Sequence, residues 1–219
     1  PRGLVSLGEL SREINNLFLA DNNRDTALLF FAGHGLQHLN SLGNKKKILL
    51  ATSDTKQIGE NGILLNDLWE LLEESLVKEQ IIWLNSCYSG NLLEFQDSDL
   101  SRQIFRRRRL IIAASHSSEV AYERLDGKHG VLSGALIEGL DASKIPQGEW
   151  ITDRTLADFV ERQLKTYYQQ TKIPQIPQIR RPEQEIKLIL GKAQSSFKEE
   201  KEKRQSSERT IPFILPQLD

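Results

Sequence analysis

The hydrophobic pattern of the chain alternates between continuous apolar runs of strand length and longer segments with helical spacing. The apolar runs cover residues 27–32, 48–51, 81–84, 110–114 and 186–190. Runs of this kind predict strands that are buried on both faces, which are typical of parallel sheets. The chain between them contains segments whose apolar residues fall on one side of a helix.

These segments predict helices at residues 10–20, 66–76, 130–140 and 153–170. Asn66 is the predicted N-cap of the second helix and Thr152 that of the last, because short polar side chains there satisfy free backbone N–H groups. Strands that alternate with amphipathic helices predict an α/β sandwich of three layers. Its central sheet is expected to be mostly parallel and to be flanked by helices.

The composition changes towards the C-terminus. Residues 198–209 are mostly Lys, Glu and Arg with Ser and Gln, which is typical of a solvated segment. We therefore predict one folded domain over residues 1–192 and a charged linker or tail over residues 193–219. The apolar stretch at 211–215 either docks locally or begins another module.

Composition and charge narrow the classes of partner. The chain has 219 residues, a net charge of -1 and hydrophobic residues at 38%. This balance gives no reason to expect nucleic acid or an anionic membrane as a partner. No apolar run approaches the ~20 residues of a membrane span and no signal-peptide pattern opens the chain, so we expect a cytoplasmic protein. The single cysteine excludes an intrachain disulfide and a Cys-rich zinc site.

Two of the predicted strands end in residues that suit nucleophilic catalysis. His34, between two glycines, follows the run at 27–32, and Cys87 follows the run at 81–84. If these strands are neighbours in a parallel sheet, both side chains emerge at the same rim. The imidazole could then take the thiol proton. A Gly-His-Gly tripeptide is common and a lone cysteine is usually an inert apolar residue, so the argument depends on the combination.

The residues around His34 and Cys87 resemble the two catalytic motifs of the caspase-like peptidases, especially their prokaryotic and metacaspase branch. The motifs are Leu-Phe-Phe-Ala-Gly-His-Gly at 29–35 and Leu-Asn-Ser-Cys-Tyr-Ser-Gly at 84–90. His34 precedes Cys87 by 53 positions, close to the ~50 of caspases, whereas papain-like enzymes have the cysteine first. Further similarity lies at 113–115, 121–123 and 129–133, and the resemblance runs from about residue 10 to residue 192.

The resemblance implies hydrolysis of peptide bonds through a thioester acyl-enzyme. Cys87 would attack the scissile carbonyl and His34 would transfer the proton to the leaving amine, while the backbone N–H groups of Gly35 and Cys87 hold the oxyanion. It also implies a protein or peptide substrate and regulatory modules on the same longer chain. No cofactor and no metal are expected, and the carboxylates show no EF-hand spacing for calcium.

The expected substrate preference depends on Asn85. Metacaspases typically have Asp two residues before the nucleophile, where it helps to receive Arg or Lys. Asn85 still accepts hydrogen bonds from a guanidinium but gives up the charge pairing. Asp54 resembles another acidic position near the substrate cleft, and Ser115 lies in a segment that resembles the family. We therefore expect all three to contact substrate, with cleavage after basic residues, although Asp54 could instead cap a loop.

Two further features concern the ends of elements. The first strand and helix of the family have no counterpart before residue 10, so we expect a sheet edge to be exposed and the pocket to lack a wall. The four arginines at 106–109 predict either an autoprocessing site or a solvated basic run that leads into a strand.

Other interpretations stay open at this point. The chain could be a non-catalytic relative that serves as a switch or scaffold, with Asn85 as the sign of lost activity. An α/β hydrolase lacks support because no Gly-x-Ser-x-Gly elbow is present, and a nucleotide-binding module lacks its glycine-rich loop. His38 is an alternative candidate for the base, and His116 and His129 are expected to be structural or surface residues. Glu119 and Glu123 are expected either at the rim of the cleft or facing water.

Overall fold

The computed structural model describes residues 4–19, 24–39, 46–56, 61–95, 107–115, 121–123, 125 and 127–191. The strands in these residues are β1 Thr26–Ala32, β2 Gly35–Leu39, β3 Lys46–Ala51, β4 Gly62–Leu64, β5 Glu79–Asn85, β6 Arg108–Ala113, β7 Trp150–Thr152, β8 Gln178–Arg180 and β9 Lys187–Leu190. The helices are α1 Leu7–Phe18, α2 Leu65–Glu74, α3 Val131–Gly139 and α4 Asp153–Thr171. The predicted tail at 193–219 lies outside the described residues.

The central sheet has the strand order β1-β5-β6-β8. β1, β5 and β6 are parallel, and β8 runs antiparallel to β6. The predicted α/β sandwich, with a mostly parallel central sheet flanked by helices, is confirmed. β5 and β6 are almost wholly buried, which explains their continuous apolar sequences.

Alternate residues of the central strands enter two separate cores. Ile82 and Leu84 of β5 pack with α1 and α2, whereas Ile81 and Trp83 pack with α3 and α4. This division follows from the period of two residues along a strand. Each face of the sheet therefore has its own layer of helices, which completes the three layers.

β1 forms an edge of this sheet. Leu28 and Phe30 remain 43% and 46% exposed, although their apolar sequence predicted a strand buried on both faces. Ala27, which points to the opposite side, is buried against the α1 and α2 layer. The prediction of two buried faces is therefore wrong for β1, because a strand at an edge with one face uncovered leaves alternate side chains exposed.

Smaller sheets lie beside the central one. β2, β3 and β4 form an antiparallel sheet, and β7 pairs with β9. The run at 48–51 is thus the middle strand of an antiparallel sheet, and the last predicted strand pairs outside the central sheet. Within the described residues, no helix is both long and apolar enough to cross a membrane.

The helix starts agree only in part with the predicted caps. Thr152 caps α4 by accepting a hydrogen bond from the backbone N–H of Thr155, as predicted. Asn66 does not cap α2, because that helix already begins at Leu65 and has no side-chain cap. α1 begins earlier than expected, at Leu7, where Ser6 and Glu9 form a capping box.

The prediction of a solvated arginine run is wrong for Arg109. Its guanidinium is 5% exposed, lies 3.0 Å from Glu73 Oε1 and donates to Gln80 Oε1 at 2.7 Å. It also stacks over the Trp69 ring at 4.5 Å. Arg109 is therefore a buried anchor between β6 and α2.

The neighbouring arginines have different contacts. Arg108 forms an ion pair with Glu79 nearer the surface, and Arg107 donates to the backbone carbonyl of Leu72 at 3.3 Å. A cation at the last carbonyls of α2 complements the negative end of the helix dipole. Arg106 lies outside the described residues, and autoprocessing near this run stays a prediction.

Candidate active site

The parallel pairing of β1 with β5 brings His34 and Cys87 to one edge of the sheet. In this register Ala32 lies opposite Asn85. His34 comes two residues after Ala32, and Cys87 comes two residues after Asn85. The backbone N–H of Gly33 extends the pairing by donating to the Asn85 carbonyl at 3.2 Å. Both side chains line a cavity of about 710 Å³.

Gly35 holds the two catalytic candidates close together through its lack of a side chain. A Cβ atom at Gly35 would lie 1.9 Å from the Cys87 carbonyl oxygen and 3.2 Å from the Cys87 nitrogen. On the other side, the His34 carbonyl accepts a hydrogen bond from Ala51 N at 2.9 Å. The backbone of the His34 segment is therefore fixed between Cys87 and β3, and the role of Gly35 and Cys87 in oxyanion binding stays a prediction.

The turn after Cys87 depends on Tyr88. Tyr88 has a φ of 59°, in the left-handed region that costs a residue with a side chain about 1–2 kcal/mol. Asn91 holds this turn by donating its backbone N–H and its Nδ2 to the Tyr88 carbonyl, at 3.1 and 2.9 Å. The residue with positive φ in this turn is Tyr88 and not the glycine at position 90.

The thiol of Cys87 has a backbone partner that the sequence did not reveal. The N–H of Ala121 donates to Cys87 Sγ over 3.3 Å. Hydrogen bonds from N–H donors stabilise negative charge on a sulfur atom. Within the described residues, His34 and Cys87 share no direct hydrogen bond, and the His34 side chain is exposed.

Asn85 is held in place by the start of α3. Its Nδ2 donates to Ser133 Oγ at 2.8 Å, and a Cβ atom at Gly130 would lie 2.1 Å from the same nitrogen. Asn85 and Ser133 both line the cavity. Ser133 and Gly130 are candidate functional residues that the sequence did not single out. Both lie in the segment at 129–133, and its similarity to the family was the signal that could have identified them.

The cavity extends from Cys87 between the exposed face of β1, the neighbouring end of β5 and the side of α3. Its apolar part is formed by Phe30, Ala32, Trp83, Leu136, Ile137 and Leu140. Glu123, Lys128 and His129 also line it, and all three are exposed. In the described part of the chain, the buried Trp83 Nε1 has no hydrogen-bond partner. The site thus combines an apolar groove with charged groups at the surface.

Asp54 lies apart from the residues that line the cavity. Its Oδ1 accepts hydrogen bonds from the Thr52 hydroxyl at 2.6 Å and from the backbone N–H of Leu7 at 3.0 Å. The Thr52 hydrogen bond, followed by the Leu7 N–H, lowers the pKa of the Asp54 carboxyl from its ordinary value of 3.8. Asp54 therefore joins the start of α1 to the loop after β3, and its role in binding substrate stays a prediction.

Ser115 is buried next to the segment that carries Cys87. Its hydroxyl donates to the Ser86 carbonyl at 3.4 Å, and its own carbonyl accepts from Gly90 N at 3.0 Å. These bonds brace the chain on both sides of Cys87, while contact with substrate stays a prediction. His116 and Glu119 lie outside the described residues.

The described residues give no basis for assigning a metal site. Among them, no group of three or more His, Cys, Asp or Glu side chains is arranged to bind a metal ion. The chemistry that the described site offers is that of a thiol, an imidazole and backbone N–H groups.

The fold and this arrangement of residues are those of a caspase-like α/β protein. The chain matches the caspase domain, a peptidase C14 family, over residues 5–206, and it belongs to that family. No curated protein matches the sequence. Among solved structures, protein GSU0716 from Geobacter sulfurreducens is similar with a TM-score of 0.54 and 12% identity, over 80% of this chain and 73% of that one. At that identity the likeness supports the fold alone.

Proposed function

We propose that this chain is a cysteine endopeptidase in which Cys87 is the nucleophile and His34 the general base and acid. The main support is that two adjacent parallel strands carry these residues to one cavity, where Gly35 fits against the Cys87 backbone. Membership of a peptidase family agrees with this chemistry. The proposed substrate is a protein or peptide, and regulatory modules on the same longer chain are proposed to control access.

The reaction would proceed in two halves. His34 takes the proton of the Cys87 thiol, the resulting thiolate attacks the scissile carbonyl carbon, and the N–H groups of Gly35 and Cys87 stabilise the oxyanion. The carbon–nitrogen bond then breaks as His34 protonates the leaving amine, which leaves a thioester on Cys87. His34 next takes a proton from water, the hydroxide attacks the thioester, and the acid product and the thiol are released.

The exposed position of His34 suits this exchange of protons with substrate and water. The missing hydrogen bond between His34 and Cys87 is compatible with catalysis, because such bonds commonly tighten only when substrate is bound. Substrate in the cavity would exclude water between the two side chains and would favour their approach.

We propose that Asn85 contributes hydrogen bonding, without charge, to the recognition of the residue before the cleaved bond. Its Nδ2 is engaged by Ser133, which leaves the amide oxygen as an acceptor for a donor group of the substrate. A basic side chain could donate to that oxygen but would find no buried carboxylate among the described cavity residues. We therefore propose that the site accepts Arg or Lys before the cleaved bond but does not strongly prefer them.

A second candidate function is a catalytically inactive caspase-like signalling or scaffold domain. One observation favours it: Asn85 stands where metacaspases typically have Asp. In that case the cavity would bind a partner segment without cleaving it.

Cleavage of a mixed peptide library by the whole chain distinguishes these candidates. The chain is compared with Cys87→Ala, His34→Ala and, as a matched control, His129→Ala, which removes another exposed histidine of the same cavity. We expect cleavage to be lost in the first two variants and retained in the third. Absence of cleavage by the unsubstituted chain, together with no labelling of Cys87 by a thiol-reactive probe, would support the scaffold function instead.

A further inference from the structure

The segment at 121–123 faces the nucleophile and is held firmly at its far side. Ala121 N–H reaches Cys87 Sγ, and the Tyr122 carbonyl accepts a hydrogen bond from Val131 N at 3.0 Å. Glu123 pairs with Gly130 in an isolated antiparallel bridge. The start of α3 therefore fixes one side of the segment that carries the N–H donor.

Gln175 fixes the same segment from a different part of the chain. Its Oε1 accepts the backbone N–H of Tyr122 at 2.9 Å, and the residue is only 4% exposed. Gln175 lies in the connection between α4 and β8, with Pro174 and Pro177 on its two sides. Proline restricts the backbone, and β8 is paired with β6, so the position of Gln175 is set by the central sheet.

We propose that Gln175 is a positioning residue for the nucleophile. By accepting the Tyr122 N–H, it keeps the neighbouring Ala121 N–H on the sulfur of Cys87 and thereby favours the thiolate. The inference rests on the proposed function in taking Cys87 as the nucleophile, but the state of the thiol can be measured without any substrate.

Loss of this hydrogen bond has a recognisable chemical consequence. A thiolate without its N–H donor forms at higher pH, but each thiolate that forms is more nucleophilic. At neutral pH, the variant should therefore be alkylated more slowly than the original chain. At alkaline pH, where Cys87 is fully ionised in both proteins, the variant should be alkylated faster, so that the plots of rate against pH cross. A substitution that merely loosens the structure would speed alkylation at every pH, since it only improves access.

The test measures the rate at which iodoacetamide alkylates the whole chain at a series of pH values. The intact mass of the chain reports the progress of the reaction. Cys87 is the single cysteine, so the added mass reports this thiol alone. For Gln175→Leu we expect a rate about threefold lower at neutral pH, a rise displaced to higher pH and a crossing of the profiles. Ile176→Ala, in the same connection but exposed, is the control that should keep the original profile.

Ala121→Pro removes the N–H donor itself and should reproduce the crossing, even where Gln175→Leu fails to fold by circular dichroism. Unchanged profiles in the folded variants, or faster alkylation at every pH, would overturn the inference. Crossing profiles in a chain that cleaves no peptide would support the role of Gln175 and remove the proposed peptidase function.

Discussion

The two glycines beside His34 look equivalent in the sequence but differ in the structure. A Cβ atom at Gly35 would overlap the Cys87 backbone, whereas one at Gly33 would meet only the Phe31 ring, at 3.0 Å. A ring can move by a small rotation, but the Cys87 carbonyl is backbone that leads directly into the turn at Tyr88. Gly35 is therefore the glycine that the site requires.

We expect Gly35→Ala to lower the free energy of unfolding by about 1–3 kcal/mol and to displace Cys87, because the added methyl group meets backbone that must shift. Urea unfolding and the alkylation rate of Cys87 measure the two effects. Gly33→Ala is the matched control, with a smaller expected loss of stability. Equal stability of Gly35→Ala and the original chain would contradict the close fit.

Asp54 leads to a prediction about pH. Its pKa is lowered in the folded chain, chiefly by the Thr52 hydroxyl and then by the Leu7 N–H, so the ionised carboxylate stabilises the fold. This contribution is present above the ordinary pKa of 3.8 and is lost as the pH falls through the lower folded pKa. Asp54→Ala should therefore be less stable at neutral pH and should approach the original chain in strong acid.

Chemical unfolding at a series of pH values measures this difference. A stability gap that stays constant from neutral pH to strong acid would contradict a role for the charge. Peptide cleavage by the variant, measured at neutral pH where both proteins are folded, would separately test whether Asp54 also binds substrate.

At the scale of single residues, the sequence predicts the candidate site residues but not the residues that contact them from distant parts of the chain. His34 and Cys87 follow apolar strands, and strand ends are visible in the pattern. The contact of Asn85 with Ser133 joins positions 48 residues apart, and that of Tyr122 with Gln175 joins positions 53 apart. Such contacts depend on how α3 and β8 pack, which no local pattern encodes.

Single elements show how much burial can differ between sequence neighbours. Arg108 and Arg109 are adjacent in β6, yet alternate strand residues face opposite sides of the sheet. Arg109 therefore enters the layer of α2, where it meets Glu73 and Trp69, and Arg108 reaches Glu79 nearer the surface.

We expect Arg109→Ala to lower the free energy of unfolding by about 3–5 kcal/mol, because it removes a buried guanidinium that pairs with Glu73 and donates a hydrogen bond to Gln80. Arg108→Ala, which removes a more exposed ion pair, should cost about 1 kcal/mol or less. Thermal and urea unfolding of the two variants provide the comparison. Similar losses for both would contradict the buried anchor.

The long elements were predictable because their apolar patterns are strong. β5, β6 and α4 lie within a few residues of their expected places. β2, β4, β7 and β8 were missed: β4, β7 and β8 have only three residues each, and β8 follows two prolines, so local signals for them are weak. α1 begins at Leu7, before its predicted start at residue 10, because the capping box of Ser6 and Glu9 lies before the apolar residues with helical spacing.

At the scale of the whole molecule, the order of the central sheet determines the site. Placing β1 beside β5 joins the histidine and cysteine segments, and the exposed edge of β1 leaves the cavity open along Phe30. The sequence predicted parallel strands and a shared rim on the condition that these strands were neighbours. Their adjacency, the antiparallel β8 and the small sheets come from long-range pairing that the apolar pattern does not encode.

The proposed peptidase reaction passes through a thioester between Cys87 and the substrate, which forms with the help of His34. The most direct measurement mixes the chain with a cleavable library peptide, quenches with acid and determines the intact mass of the protein. We expect an acyl adduct on Cys87 that hydroxylamine removes, that is absent from Cys87→Ala and that forms more slowly in His34→Ala. Cleavage of the same peptide by Cys87→Ala would contradict it.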